Sequence, residues 1–274
     1  MIYNLKYNRL FQLAFALFLI TFFWWLTIYF RGLIGSSENN IYTLLYPLIS
    51  LIGAVIGFKS AYSWGGIKSQ FGKAILLLAS GLLFQFIGQA IYAYNIYILN
   101  IEVPYPSYGD IGYFGSVILY IIALIYLAKV VAVRISFKSI TGKLQAFILP
   151  AFLLCSSYFF FLKSYEFDWT NPAIILLDFG YPIGQTIYVS LTVAIIILSR
   201  NTLGGIMKRP LQFLLFALVV QYFSDFLFLF LAKTGTWYVG GINDFLYSVS
   251  YFLMTLALTS IGSKVDQMEN KDKI

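Results

Sequence analysis

The chain has 274 residues, of which 60% are hydrophobic and only 11% charged, with a net charge of +7. Soluble domains carry about 25% charged residues, so a water-soluble enzyme or binding domain is excluded and an integral membrane protein is implied. The basic balance does not imply nucleic acid, because its distribution follows membrane topology.

Eight apolar runs reach the roughly 20 residues needed to span a bilayer. They cover residues 10–30, 41–63, 74–97, 109–131, 144–162, 173–199, 210–232 and 243–262. A β-barrel is excluded, since barrel strands are about 10 residues of alternating polarity. The expected fold is an all-α membrane bundle of about eight spans. It forms one domain over 1–263, with a short polar tail at 264–274. The first run lacks a small-residue cleavage site and reads as a retained signal anchor.

In chain order, the second run has Asn39 just before it, Tyr42 at its start and Pro47 within it. The third carries Gln85 and Gln89, one helical turn apart on one face, and then Tyr92. The fourth opens with "PSYGDIGYFGS", which places Asp110 and Tyr113 at its head. The fifth contains Pro150 and the only cysteine, Cys155, read as inert packing. The sixth reads "AIILLDFGYPIGQ" and supplies Asp178, Tyr181, Pro182 and Gln185. The seventh carries Gln221 and Asp225 at i,i+4. The eighth begins with Asp244, followed by Tyr247.

An acid followed three residues later by tyrosine therefore recurs at Asp110, Asp178 and Asp244, with Asn39 and Tyr42 as a weaker copy. The period predicts four repeated helical hairpins of like topology. At a helix start such an acid suits the free backbone N–H groups and the positive end of the helix dipole, which accounts for Asp110 and Asp244 as anchors. Asp178 and Asp225 fit that account less well. Each sits several residues inside an apolar run, where an ionisable group costs a few kcal/mol unless it faces a cavity or a partner. The expectation is an outward-opening pocket lined by Asp178, Asp225, Gln221, Gln89, Gln185, Tyr92, Asp110, Tyr113, Tyr181, Asp244 and Tyr247. The alternative for the glutamines, above all Gln85, is hydrogen bonding that glues helices together.

Of the 18 Lys and Arg residues, only Arg31, Lys163 and Lys233 fall on the side that carries most of the acids. The other 15 occupy the opposite side, among them Lys6, Arg134, Lys138, Lys143, Arg200 and Lys273. This positive-inside bias predicts a prokaryotic cell membrane with both termini cytoplasmic and anionic lipid headgroups beside the basic loops. Glu102 belongs to the acidic, external set. The chain has no histidine, which removes the commonest metal ligand and general base. No phosphate-binding loop occurs, and no cofactor or metal is implied.

The pattern resembles the polytopic N-terminal sensory module of many bacterial diguanylate cyclases and histidine kinases. A hairpin of that module reads like "G…Y…PSxxDxxYxxG", matched here by Gly88, Tyr92, Pro106, Ser107, Asp110, Tyr113 and Gly115. A later Asp followed by Tyr-Pro is matched by Asp178, Tyr181 and Pro182. An Asp in the last ascending helix and then "GxYxxG…D" are matched by Asp225, Gly235, Tyr238, Gly241 and Asp244. Those proteins continue into a cytoplasmic output domain. The resemblance therefore implies a stand-alone sensory module for a small ligand or lipid, signalling through a separate cytoplasmic partner or membrane complex. A proton-coupled or small-solute transporter is the second reading. A lipid-acting intramembrane enzyme and a structural subunit of a membrane complex follow.

Overall fold

The structure, a computed structural model, describes residues 8–99, 101, 103–131, 148–163, 165–198 and 207–271, without the side chains of 197–198 and 266–271. Lys6, Glu102, Arg134, Lys138, Lys143, Arg200 and Lys273 lie outside that set. The described elements are α1 (Arg9–Phe30), α2 (Ser37–Leu45), α3 (Leu48–Ser63), α4 (Gln70–Tyr97), α5 (Tyr108–Val130), α6 (Leu149–Ser157), a π turn (Tyr158–Leu162), α7 (Pro172–Leu198), α8 (Lys208–Lys233) and α9 (Ile242–Lys271).

The helix starts follow from local chemistry. Asn8 accepts the Phe11 N–H at 3.1 Å, and Ser69 accepts that of Gly72 at 2.8 Å. Ser107 and Asp110 form a capping box at α5, which satisfies two backbone donors that the helix itself leaves free. Of the three Tyr-Pro steps, Tyr105-Pro106 lies in the loop before α5, and the other two prolines act differently. Pro47 separates α2 from α3, whereas Pro182 stands inside a continuous α7.

Seven stretches are long and apolar enough to cross a membrane: α1, α2 with α3, α4, α5, α7, α8 and α9. The chain is an all-α integral membrane protein. The fifth expected run is described only in part. Residues 144–147 lie outside the described set, and the described part is the shorter apolar helix Leu149–Leu162. At 1.5 Å per residue this covers roughly 21 Å of a hydrocarbon core about 30 Å thick. The helix ends in the wider π turn, whose free carbonyls at Phe160 and Phe161 accept Lys233 Nζ at 2.8 and 3.0 Å. The last helix also passes the expected domain end at 263 and continues to Lys271.

Six helices pack in a closed order, α3 to α4, α5, α7, α8, α9 and back to α3. Two helices sit outside this ring. α1 packs on α9 and α3, and α6 packs on α7, with its π turn against α8. The outward faces carry exposed Phe, Ile, Leu and Tyr side chains, as a hydrocarbon solvent requires. Short connections put the N-terminal ends of α5, α7 and α9 and the C-terminal end of α8 at one end of the bundle. All four span acids lie toward that end.

The α4–α5 pair sets the closest approach. A Cβ on Gly112 would lie 2.5 Å from the Gly88 nitrogen and 2.6 Å from the Phe84 carbonyl oxygen. Both are backbone atoms that cannot rotate away, so Gly112→Ala is expected to destabilise by about 1–3 kcal/mol, the usual cost of overpacking. Thermal unfolding of the detergent-purified protein measures it, and an unchanged midpoint contradicts the backbone-to-backbone contact.

Candidate functional site

Each acid in a span has a tyrosine donor. Asp225, 7% exposed, accepts from Tyr188 Oη at 2.9 Å, Tyr247 Oη at 2.8 Å and Gln221 Nε2 at 3.1 Å. These donors come from α7, α9 and α8, so the carboxylate ties three ring helices together. Asp244, 5% exposed, accepts from Tyr46 Oη at 3.2 Å, the Gly240 N–H at 2.7 Å and Asn243 Nδ2 at 3.2 Å. Gly240 has φ +76°, a left-handed conformation that glycine adopts without strain. That bend also aims its carbonyl at Trp25 Nε1, 3.2 Å away. Asp110 accepts the Ser107 N–H at 2.7 Å and Tyr181 Oη at 2.8 Å.

Asp178 differs from the other three. Its donor comes from outside the helices, Tyr105 Oη at 2.6 Å, and it borders an open cleft of about 510 Å³. The cleft is lined by Tyr105, Phe161, Leu162, Tyr165, Glu166, Leu177, Asp178, Tyr181, Pro182, Leu229 and Lys233. The Lys233 ammonium is already bound to the two π-turn carbonyls. Tyr165, in the loop after the π turn, also directs its hydroxyl at Asp178. Desolvation first, and the bond to Asp178 second, raise both the Tyr105 and Tyr165 hydroxyls above the ordinary tyrosine range. Both therefore stay protonated, and Tyr105 donates to the carboxylate.

Of the eleven residues expected to share one pocket, Asp178 and Tyr181 line this cleft and the other nine do not. Asp225, Gln221, Asp244 and Tyr247 are held in the bonds above. Tyr113 Oη donates to Gln89 Oε1 at 2.7 Å. Asp110 faces the α5–α7 contact. Gln185 is buried on α7, and the Tyr92 ring meets Trp237 edge-on at 6.2 Å. Gln85 accepts from Tyr251 Oη at 2.9 Å and donates to Ser116 Oγ at 2.6 Å, which is the gluing role.

Sequence reasoning missed Tyr46, Tyr105, Tyr165, Tyr188, Glu166 and Lys233. Two signals were available. Tyr46 precedes Pro47 as Tyr181 precedes Pro182, and Tyr188 lies two turns beyond Tyr181 on the same face of α7. Tyr105 and Tyr165 are loop residues with no periodicity to read.

A hydrogen bond to a charged group contributes about 1.5–3 kcal/mol. Tyr188→Phe and Tyr247→Phe should each lower stability by an amount in that range, whereas Tyr158→Phe, on an exposed ring, should be neutral. Chemical unfolding in mixed micelles separates these outcomes.

No family model, no curated protein and no solved structure matches the chain.

Proposed function

We propose that this protein is a receptor-like membrane sensory module that binds a small amphipathic ligand, with a positively charged group, in the Asp178 cleft. One observation carries the reading: a partly open carboxylate stands in an aromatic-walled cleft, and the neighbouring ammonium is occupied elsewhere. Asp178 and Glu166 outnumber Lys233 in the lining, and the Lys233 ammonium is hydrogen-bonded to backbone carbonyls rather than to either acid. Phe161, Tyr105, Tyr165 and Tyr181 offer ring faces of the kind that attract organic cations. A lipid with a cationic headgroup falls within the same chemistry.

The reading extends to topology and partners. The bias of Lys and Arg toward one side supports a prokaryotic cell membrane with cytoplasmic termini and an externally open cleft. The resemblance to sensory modules of diguanylate cyclases and histidine kinases supports a cytoplasmic output that registers the ligand-bound state. A ligand moves such an equilibrium only through its differential affinity for the two states.

Transport is less well supported. It calls for a polar path running on from the acids, yet the hydroxyls of Thr192, Thr255 and Thr259 are turned onto carbonyls of their own helices at 2.7 Å. Acid–base lipid chemistry by a carboxylate pair is also disfavoured, because Asp225 does not line the cleft that holds Asp178.

The test uses the full chain in detergent or lipid nanodiscs, with thermal unfolding as readout. Choline is the cationic probe and 3,3-dimethylbutanol its uncharged isostere, beside a panel of external metabolites and lipids. Ligand at about 100 times its Kd adds about 2.7 kcal/mol. The expected result is stabilisation by quaternary ammonium compounds, none by the isostere, and loss of the effect in Asp178→Asn. If only uncharged or anionic members stabilise the protein, the ligand class is wrong. If nothing in the panel stabilises it, the receptor reading falls.

A further inference from the structure

Equivalent bonds recur in the two halves of the chain. Asp110 is the third residue of α5 and accepts from Tyr181, on the next helix of the ring. Asp244 is the third residue of α9 and accepts from Tyr46, at the join of α2 and α3, again next in the ring. Each tyrosine immediately precedes a proline. Each acid also accepts one backbone N–H near its helix start, from Ser107 and from Gly240, both at 2.7 Å.

The match extends to the preceding helix. Tyr113 donates to Gln89 at 2.7 Å, and Tyr247 donates to Asp225 at 2.8 Å. A glutamine stands one turn earlier in both cases, Gln85 and Gln221. The separations agree as well: 134 residues from Asp110 to Asp244, 135 from Tyr46 to Tyr181, and 136 from Gln89 to Asp225. An acid at a helix start is common by itself. The same donor, before a proline, on the next helix, at a shift that varies by only two residues is a far narrower coincidence.

We infer that residues 37–130 and 172–265 are two copies of one helical unit, and that the same carboxylate–tyrosine clasp closes both seams between them. The repeat unit is thus larger than the single hairpin that the Asp–Tyr spacing suggests, since Asp178 aligns with Thr43 and not with Asp110. The ring order agrees, because advancing it by half a turn carries α3, α4 and α5 onto α7, α8 and α9.

The copies differ where function is proposed. α1 packs over the α9–α3 seam, and Trp25 stacks on Phe245 at 4.3 Å there. α6 packs instead on α7 and α8 of its own copy. Tyr105 then reaches across the α5–α7 seam to Asp178, and the cleft opens at that place. The duplication does not depend on the cleft taking a ligand, and its tests use none.

Two experiments on the full chain decide it. In an experimental structure of the wild type, residues 37–130 should superpose on 172–265 as a unit, bringing Tyr46, Gln89, Asp110 and Tyr113 onto Tyr181, Asp225, Asp244 and Tyr247. Superposition only helix by helix overturns the inference. Independently, the exchange variant Gln89→Asp/Asp225→Gln places each group in the counterpart position. Its thermal midpoint should stay within about 4 °C of wild type. Loss of monodisperse protein in the exchange variant, when Asp225→Asn alone remains folded, counts against equivalence of the two positions.

Discussion

The constraint on which the rest depends is that a polar group inside a bilayer must find its partner within the protein. This chain meets it with tyrosine. The phenol carries a donor on a ring that is itself at home in hydrocarbon, so it reaches a carboxylate without bringing a second charge. Among the described residues, the four span acids are therefore stabilised by hydroxyls and amides, and the one salt bridge joins Arg31 to Glu38 at the exposed end. Because the tyrosine and its acid usually sit on different helices, each bond that solvates a carboxylate also fixes a helix pair.

The helical bundle was legible in the sequence because lipid imposes a simple rule of length and apolarity, and seven stretches among the described residues obey it. In the described part of the fifth run, composition does not register the π turn or the lysine that reaches it from another helix. Within single helices the site was legible too. The i,i+4 pair Gln221 and Asp225 does share a face and a bond, and Ser107 with Asp110 does cap α5. What one sequence hides is pairing between helices. The chain has 22 tyrosines, and spacing alone does not say that Tyr188 serves Asp225 or that Tyr46 serves Asp244. The Asp178 cleft takes in only two of the expected pocket residues, while Asp110, Asp225, Asp244, Gln89, Gln221, Tyr113 and Tyr247 are hydrogen-bonded within the bundle.

Three of the acids differ from the fourth in kind. Asp110, Asp225 and Asp244 spend their acceptor capacity on groups fixed in the bundle, and removing such a group leaves a buried donor without a partner. Asp178 takes its bond from Tyr105, a loop residue, and keeps one side toward open space. A carboxylate that is fully engaged holds structure together. One that is partly engaged, beside exposed rings and a lysine already occupied, retains attraction for something outside the chain.

The same comparison explains why the open site stands where it does. Two seams of like construction need not be covered alike, and the described outer helices differ in placement. α1 is a full span that lies across one seam and seals it with Trp25. The described part of α6 packs on α7, and Lys233 ties its π turn to α8 beside the other seam. Lys233 thus fixes one wall of the cleft and sets a single cation against the two carboxyl groups of Asp178 and Glu166 there. A single side chain links the geometry of the opening to its charge.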